Sequence, residues 1–141
     1  MMPYDDTNIF AKILRGEIPS TKIYETDAVL AIMDIMPQSE GHCLVIPKSA
    51  SRNLLDAEDA ALQSAMVEVA RLARATKSAF GADGVSVMQF NEAAGGQTVY
   101  HLHFHVIPRY EGLVLKGHGA SGMADPSALA EQAERIRQHL A

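Results

Sequence analysis

Tyr100-His101-Leu102-His103-Phe104-His105-Val106-Ile107 alternates imidazoles with apolar side chains over eight residues. On a strand, successive side chains point to opposite faces, so His101, His103 and His105 share one face. Leu102, Phe104 and Val106 then share the other and are free to enter a core. Neighbouring imidazoles in such a row stand roughly 6.5 Å apart. Packing does not ask for three histidines there, because Val or Thr suits a strand better. Two chemistries fit the row. Neutral imidazoles at alternate positions converge on a metal ion. Alternatively, one imidazole is a nucleophile at phosphorus, and its neighbours donate hydrogen bonds and carry protons. Spacing alone leaves the two level. Gly95-Gly96-Gln97-Thr98, just upstream, tilts the balance toward phosphoryl chemistry. It supplies backbone freedom, amide donors for an anion and a hydroxyl, none of which a histidine metal site needs.

Working outward, the histidine strand reads as Val99 to Ile107, ended by Pro108. A fourth strand, Val85 to Phe90, precedes the loop Asn91 to Gly96. Before it lies the clearest helix. Asp56 is its expected cap, Leu55, Leu62, Met66, Val69, Ala73 and Phe80 form its apolar stripe, and Gly81 is its C′ residue. Glu68, Arg71, Arg74 and Lys77 fall on the wet side. His42 to Ile46 reads as a third strand after the loop Pro37 to Gly41. Thr21 to Glu25 and Ala28 to Asp34 form a hairpin across Glu25-Thr26-Asp27. A short first helix, capped by Asp5, Asp6 or Thr7, carries Ile9, Phe10, Ile13 and Leu14 and ends at Gly16 and Pro19. Asp125-Pro126 opens a last helix with Leu129, Ala133, Ile136 and Leu140 inward. The prediction is an α+β fold: an antiparallel sheet of about five strands, one long helix, a short N-terminal helix and a C-terminal helix.

With 141 residues and 15.2 kDa, one domain over 1–141 is expected. Its core would cover about 7–110, with a mobile loop over about 111–124 and the last helix over about 125–140. Twelve Lys and Arg against 17 Asp and Glu give a net charge of −5, which argues against nucleic-acid or anionic-membrane partners. No apolar run approaches the roughly 18 residues of a spanning helix. The first residues lack the basic and apolar stretches of a signal peptide, so a cytoplasmic location is expected. Cys43 is the single cysteine, which excludes an internal disulfide or a thiolate metal cluster.

His101-Leu102-His103-Phe104-His105-Val106-Ile107 resembles the His-φ-His-φ-His-φ-φ motif of the histidine triad (HIT) superfamily, where φ is apolar. Asn8 to Ile13, Glu17-Ile18-Pro19, Asp34-Ile35, His42 to Lys48 and Gly95 to Tyr110 resemble that family in the same order. The resemblance implies the HIT fold, a homodimer, and hydrolysis or transfer of nucleoside monophosphates. It implies that His103 is the nucleophile, passing through a nucleotidyl-histidine intermediate. It also implies that His105 bonds a phosphate or ribose-side oxygen, that His101 orients the triad, and that Thr98 bonds the phosphate or leaving group. Gln97 and Gly96 match the adjacent loop, Asn91 a nucleotide contact, and Asp34 the acceptor of the ribose hydroxyls. Ile9, Phe10, Ile13, Ile18 and Ile35 match the walls of the base pocket.

Many bacterial relatives carry a Cys-x-x-Cys and a further histidine that hold a structural zinc with one triad histidine. Asn8, Ala11 and Ala50 stand at those positions here, so no zinc, no other metal and no cofactor is expected. His42, His118 and His139 read as loop or solvent residues. Lys48, Arg52 and Arg109 read as ordinary surface charges within reach of a phosphate. The expected function is release of AMP or GMP from purine nucleoside phosphoramidates. The alternatives are a dinucleoside polyphosphate hydrolase of the fragile-histidine-triad type and a nucleotide-binding protein with little turnover.

Overall fold

The computed structural model describes residues 1–120 and 122–140. Five strands form one antiparallel sheet: β1 (Lys22–Glu25), β2 (Val29–Met33), β3 (Cys43–Pro47), β4 (Gly84–Met88) and β5 (Phe104–Arg109), in the spatial order β1-β2-β3-β5-β4. Three α-helices accompany it: α1 (Ile9–Leu14), α2 (Asp59–Phe80) and α3 (Pro126–Arg137). The fold class is the expected one. No helix among the described residues is long and apolar enough to cross a membrane.

Strand alternation sorts the side chains onto two faces. Ile23, Val29, Ala31, Met33, Val45, Phe104 and Val106 pack with Leu72 of α2 and Leu129 and Ile136 of α3. The opposite parity, Leu30, Ile32, Leu44 and Ile46, forms a smaller cluster with Phe10 of α1. The histidines belong to this second face. Leu102 and Phe104 enter the larger core, as the alternation requires.

Several element ends differ from expectation, for local reasons. Asp56 does not cap α2. With Asn53 it forms a capping box around the 3₁₀ turn Leu54–Asp56, and α2 starts three residues later. The buried face of α2 is Ala65, Val69, Leu72, Ala75 and Thr76, whereas Leu55 and Met66 are exposed. Val69 and Leu72 share this face with two alanines and a threonine, so the expected stripe caught Val69 but missed Leu72. Asn8, rather than Asp5, Asp6 or Thr7, caps α1 by accepting from the Ala11 N–H. β5 begins at Phe104, not Val99. Its pairing with β3 covers only Phe104 to Val106, and upstream of that the Leu102 N–H turns to the Ser51 carbonyl. Pro108 does not end the strand. It pairs opposite Val85 beyond the last β3 partner, where a missing N–H breaks no ladder bond.

The segment expected to be a mobile loop, which includes Ser121 outside the described residues, makes hydrogen bonds to the rest of the chain on both sides of that residue. Gln38 Nε2 donates to the Lys116 carbonyl, His118 reaches Asp34, and the Ala124 N–H donates to the Ile35 carbonyl.

Candidate active site

Register places the polar cluster. Met33 pairs with Cys43 and Leu44 pairs with His105, so Asp34, His42 and His105 fall side by side on three adjacent segments of the second face. His105 lies opposite Met88 on its other side. All three are buried, together with His101 and His103.

Hydrogen-bond partners fix the protons. A carbonyl only accepts, so His103 Nδ1 carries the hydrogen it gives to the His101 carbonyl at 2.6 Å. Its Nε2 lone pair is therefore free. His101 Nε2 likewise donates to the Pro47 carbonyl at 2.7 Å. The Gln38 N–H donates to His42 Nδ1 at 2.9 Å, which leaves the His42 proton on Nε2. That nitrogen sits 2.9 Å from His105 Nδ1, so His105 accepts there and carries its own hydrogen on Nε2. The rings of His103 and His105 stand edge to face, with centroids 5.1 Å apart. The result is a nucleophilic nitrogen beside a hydrogen-bond donor.

Electrostatics agrees with neutral rings. Burial pushes His42 down to about 4. Burial, reinforced by the neighbouring His103, His42 and His118, pushes His105 down to about 3. Burial also lowers His103 and His101 from their ordinary value. A neutral imidazole keeps its lone pair at neutral pH and below.

This has a stability consequence. In the unfolded chain these rings take up a proton below about pH 6.5, while in the fold they stay neutral. The unfolded state thus binds more protons, and stability falls as pH drops from about 6.5 toward 4. His42 alone contributes on the order of 3 kcal/mol over that window. Urea midpoints are expected to be flat above pH 7 and to fall steeply below 6.5, with a shallower fall in His42→Gln. A midpoint constant to pH 4.5 contradicts the assignment.

Two cavities meet at the triad. One, of about 260 Å³, is walled by Ile9, Phe10, Ile13, Ile18 and Ile35, with Asp34, Thr98, His103 and His105 at its polar end. The other, of about 240 Å³, adds Phe90, Gly96 and Gln97 around the same two histidines. Gly96 has φ +98, and a Cβ there would sit 3.2 Å from the Phe90 ring, so glycine keeps this wall narrow.

The remaining expected contacts divide. Gln97 is buried scaffolding: it accepts from the Glu92 N–H and donates to the Arg52 and Val99 carbonyls. Asn91 lines neither cavity. Its side chain accepts from the Leu54 N–H and bonds Gln89. Lys48, Arg52 and Arg109 are engaged with Glu25, Glu92 and Ser86. His139 is exposed, as expected.

His42 and His118 were expected outside the site, and both belong to it. His42 has the same parity as Leu44 and Ile46, which was the available signal. His118 approaches Asp34 to 3.1 Å from the far side of the chain, and no periodicity in its glycine-flanked loop announces that contact.

Metal binding can be tested on the donor sets. Asp34, His42 and His105 place ligand-type atoms within 4.8 Å of one another. A neutral imidazole bound to metal through Nε2 must carry its hydrogen on Nδ1, yet His42 Nδ1 accepts from Gln38. This cluster is wired as a hydrogen-bond relay.

The protein-family comparison matches the HIT domain over residues 15–112. The chain belongs to the HIT family. A crystal structure of a HIT-like protein from Bartonella henselae is 55% identical and superimposes with a TM-score of 0.92, covering 98% of this chain and 100% of that one. The adenosine 5′-monophosphoramidase of Saccharomyces cerevisiae is 44% identical over 105 residues, 74% of this chain and 64% of that protein. A zinc-bound histidine triad protein from Mycobacterium smegmatis is 33% identical, with a TM-score of 0.83 over 94% of this chain and 92% of that one. At the positions expected to hold structural zinc in HIT relatives, Asn8 is occupied as a helix cap, and Ala11 and Ala50 offer no ligand atom. These residues do not fit that ion.

Proposed function

We propose that this HIT protein is a hydrolase of purine nucleoside phosphoramidates that releases AMP or GMP. The observation that carries the reading is the pairing of a free His103 Nε2 lone pair with the His105 Nε2–H at the polar end of an apolar cavity. The base lies among Ile9, Phe10, Ile13, Ile18 and Ile35, and the α-phosphate sits against His103, His105 and Thr98. His103 Nε2 attacks the α-phosphorus in line. A P–N bond to the ring forms as the bond to the leaving nitrogen breaks. That nitrogen takes a proton from solvent and departs as the amine, while His105 donates to a phosphoryl oxygen. Water then attacks the same phosphorus, the P–Nε2 bond breaks, and the nucleoside monophosphate leaves. The His101 carbonyl holds the ring through Nδ1 in both steps. Asp34, with four acceptor lone pairs, is the residue for the ribose hydroxyls. Its contact with His118 gives way when they bind.

The reading includes a cytoplasmic homodimer. β4 bonds to β5 on one side only, and the exposed Val87 lies on that strand, so its free edge suits a second copy. Cys43 is a buried free thiol, which suits a reducing compartment.

The test is turnover of adenosine phosphoramidate, AMP-N-lysine and diadenosine polyphosphates, with alkaline-quench mass spectrometry for a nucleotidyl adduct on His103, whose P–N bond is acid-labile. Preference for the P–N substrates with an adduct supports the reading. Preference for the polyphosphates moves the protein to the fragile-histidine-triad activity. Binding of every substrate without turnover makes it a nucleotide-binding protein.

A further inference from the structure

His101 is 1% exposed, and both of its ring nitrogens are bonded. Nε2 donates to the Pro47 carbonyl, so Nδ1 is an acceptor. The Tyr4 hydroxyl lies 2.7 Å from that Nδ1 and gives it its hydrogen. The Tyr4 oxygen in turn accepts from Asn8 Nδ2 at 3.1 Å, while Asn8 Oδ1 caps α1. Tyr4 also stands edge-on to the imidazole, with centroids 5.6 Å apart at 69°. Donation therefore runs in one direction, from Asn8 to Tyr4 to His101 to Pro47. The carbonyl of the same His101 receives the His103 Nδ1–H. An N-terminal tyrosine thus grips the residue that holds the nucleophile, in a region where this chain lacks ligands for its relatives' zinc.

We propose that Tyr4 is a positioning residue. Its hydroxyl clamps His101 from the side opposite Pro47 and, through the His101 carbonyl, sets the ring angle of His103. The consequence for turnover rests on His103 being the nucleophile, while the clamp itself does not. Tyr4 touches neither cavity at the triad, so its loss acts on the rate of the chemical step rather than on nucleotide affinity.

The experiment is Tyr4→Phe, which keeps the ring and removes the hydroxyl, with Tyr110→Phe as a remote control. Two readouts are taken. On adenosine phosphoramidate, kcat is expected to fall roughly 10–50-fold with KM within about twofold, in line with misorientation of a reacting group. In ¹⁵N-labelled protein, the His101 Nδ1 resonance is expected to move toward that of a free lone pair, and the His103 Nδ1–H signal to weaken by exchange with water. An unchanged kcat together with unchanged imidazole resonances overturns the clamp. A rise in KM matching the fall in kcat also overturns it, because that reports general damage to the pocket. If wild-type protein turns over none of the nucleotides, the proposed hydrolase fails. The imidazole resonances then still decide the clamp by themselves.

Discussion

His103→Ala is expected to lower turnover of adenosine phosphoramidate by at least about 10³-fold, since the attacking atom itself is removed. Nucleotide affinity is expected to stay within a few-fold, because the apolar walls, Asp34 and Thr98 are untouched. The ring packs edge-to-face against Phe10 at 4.8 Å and against His105 at 5.1 Å, so truncation leaves a small cavity beside the nucleotide pocket. A destabilisation of about 1–2 kcal/mol follows, too little to unfold the protein at room temperature. Rates and binding constants measured side by side separate the two effects. A variant that hydrolyses as fast as wild type removes His103 from the chemistry and with it the covalent route.

Gly41→Ala is the substitution expected to cost most stability for one added methyl group, about 3 kcal/mol. Gly41 has φ +88, and a Cβ there would lie 2.6 Å from two atoms of the Phe80 ring and 3.1 Å from Pro108. The left-handed backbone contributes roughly 1 kcal/mol and the overpacking roughly 1–3 kcal/mol. Phe80 has little room to retreat, because the Arg135 guanidinium covers its ring at 4.6 Å. The melting temperature is expected to drop by roughly 10 °C. Gly84→Ala is the control: no heavy atom lies within 4 Å of its Cβ position and its φ is not positive, so it should melt near wild type. A Gly41→Ala protein that melts within about 2–3 °C of wild type, a shift worth no more than roughly 1 kcal/mol, would falsify the packing argument.

Much of the fold was legible because period-2 alternation is a strong signal when one face is buried. Leu102, Phe104 and Val106 went to the core and the histidines to the other face on that basis. Strand ends were less legible, because they depend on partners. β5 starts where β3 begins to pair with it, and nothing in Val99 to His103 reports that. The inner face of α2 was hidden for another reason. Ala65, Ala75 and Thr76 make up much of it beside Val69 and Leu72, and small or polar residues leave little trace in an apolar pattern.

For the site, the row His101, His103 and His105 was visible as a motif, but its wiring was not. His42 was readable by parity once β3 was placed. Tyr4 and His118 lie 97 and 84 positions from the partners they meet, and such contacts come from chain topology rather than local pattern.

The relay behind His105 ends on the main-chain amide of Gln38. An amide hydrogen does not titrate in any physiological range, so the orientation of both imidazoles is anchored to a group indifferent to the surrounding medium. The donor pattern of the site is in that sense built into the path of the backbone over Pro37 to Gly41. A change of conformation in that short turn, with every histidine left in place, would be enough to reverse whether His105 Nε2 donates to the substrate or accepts from it.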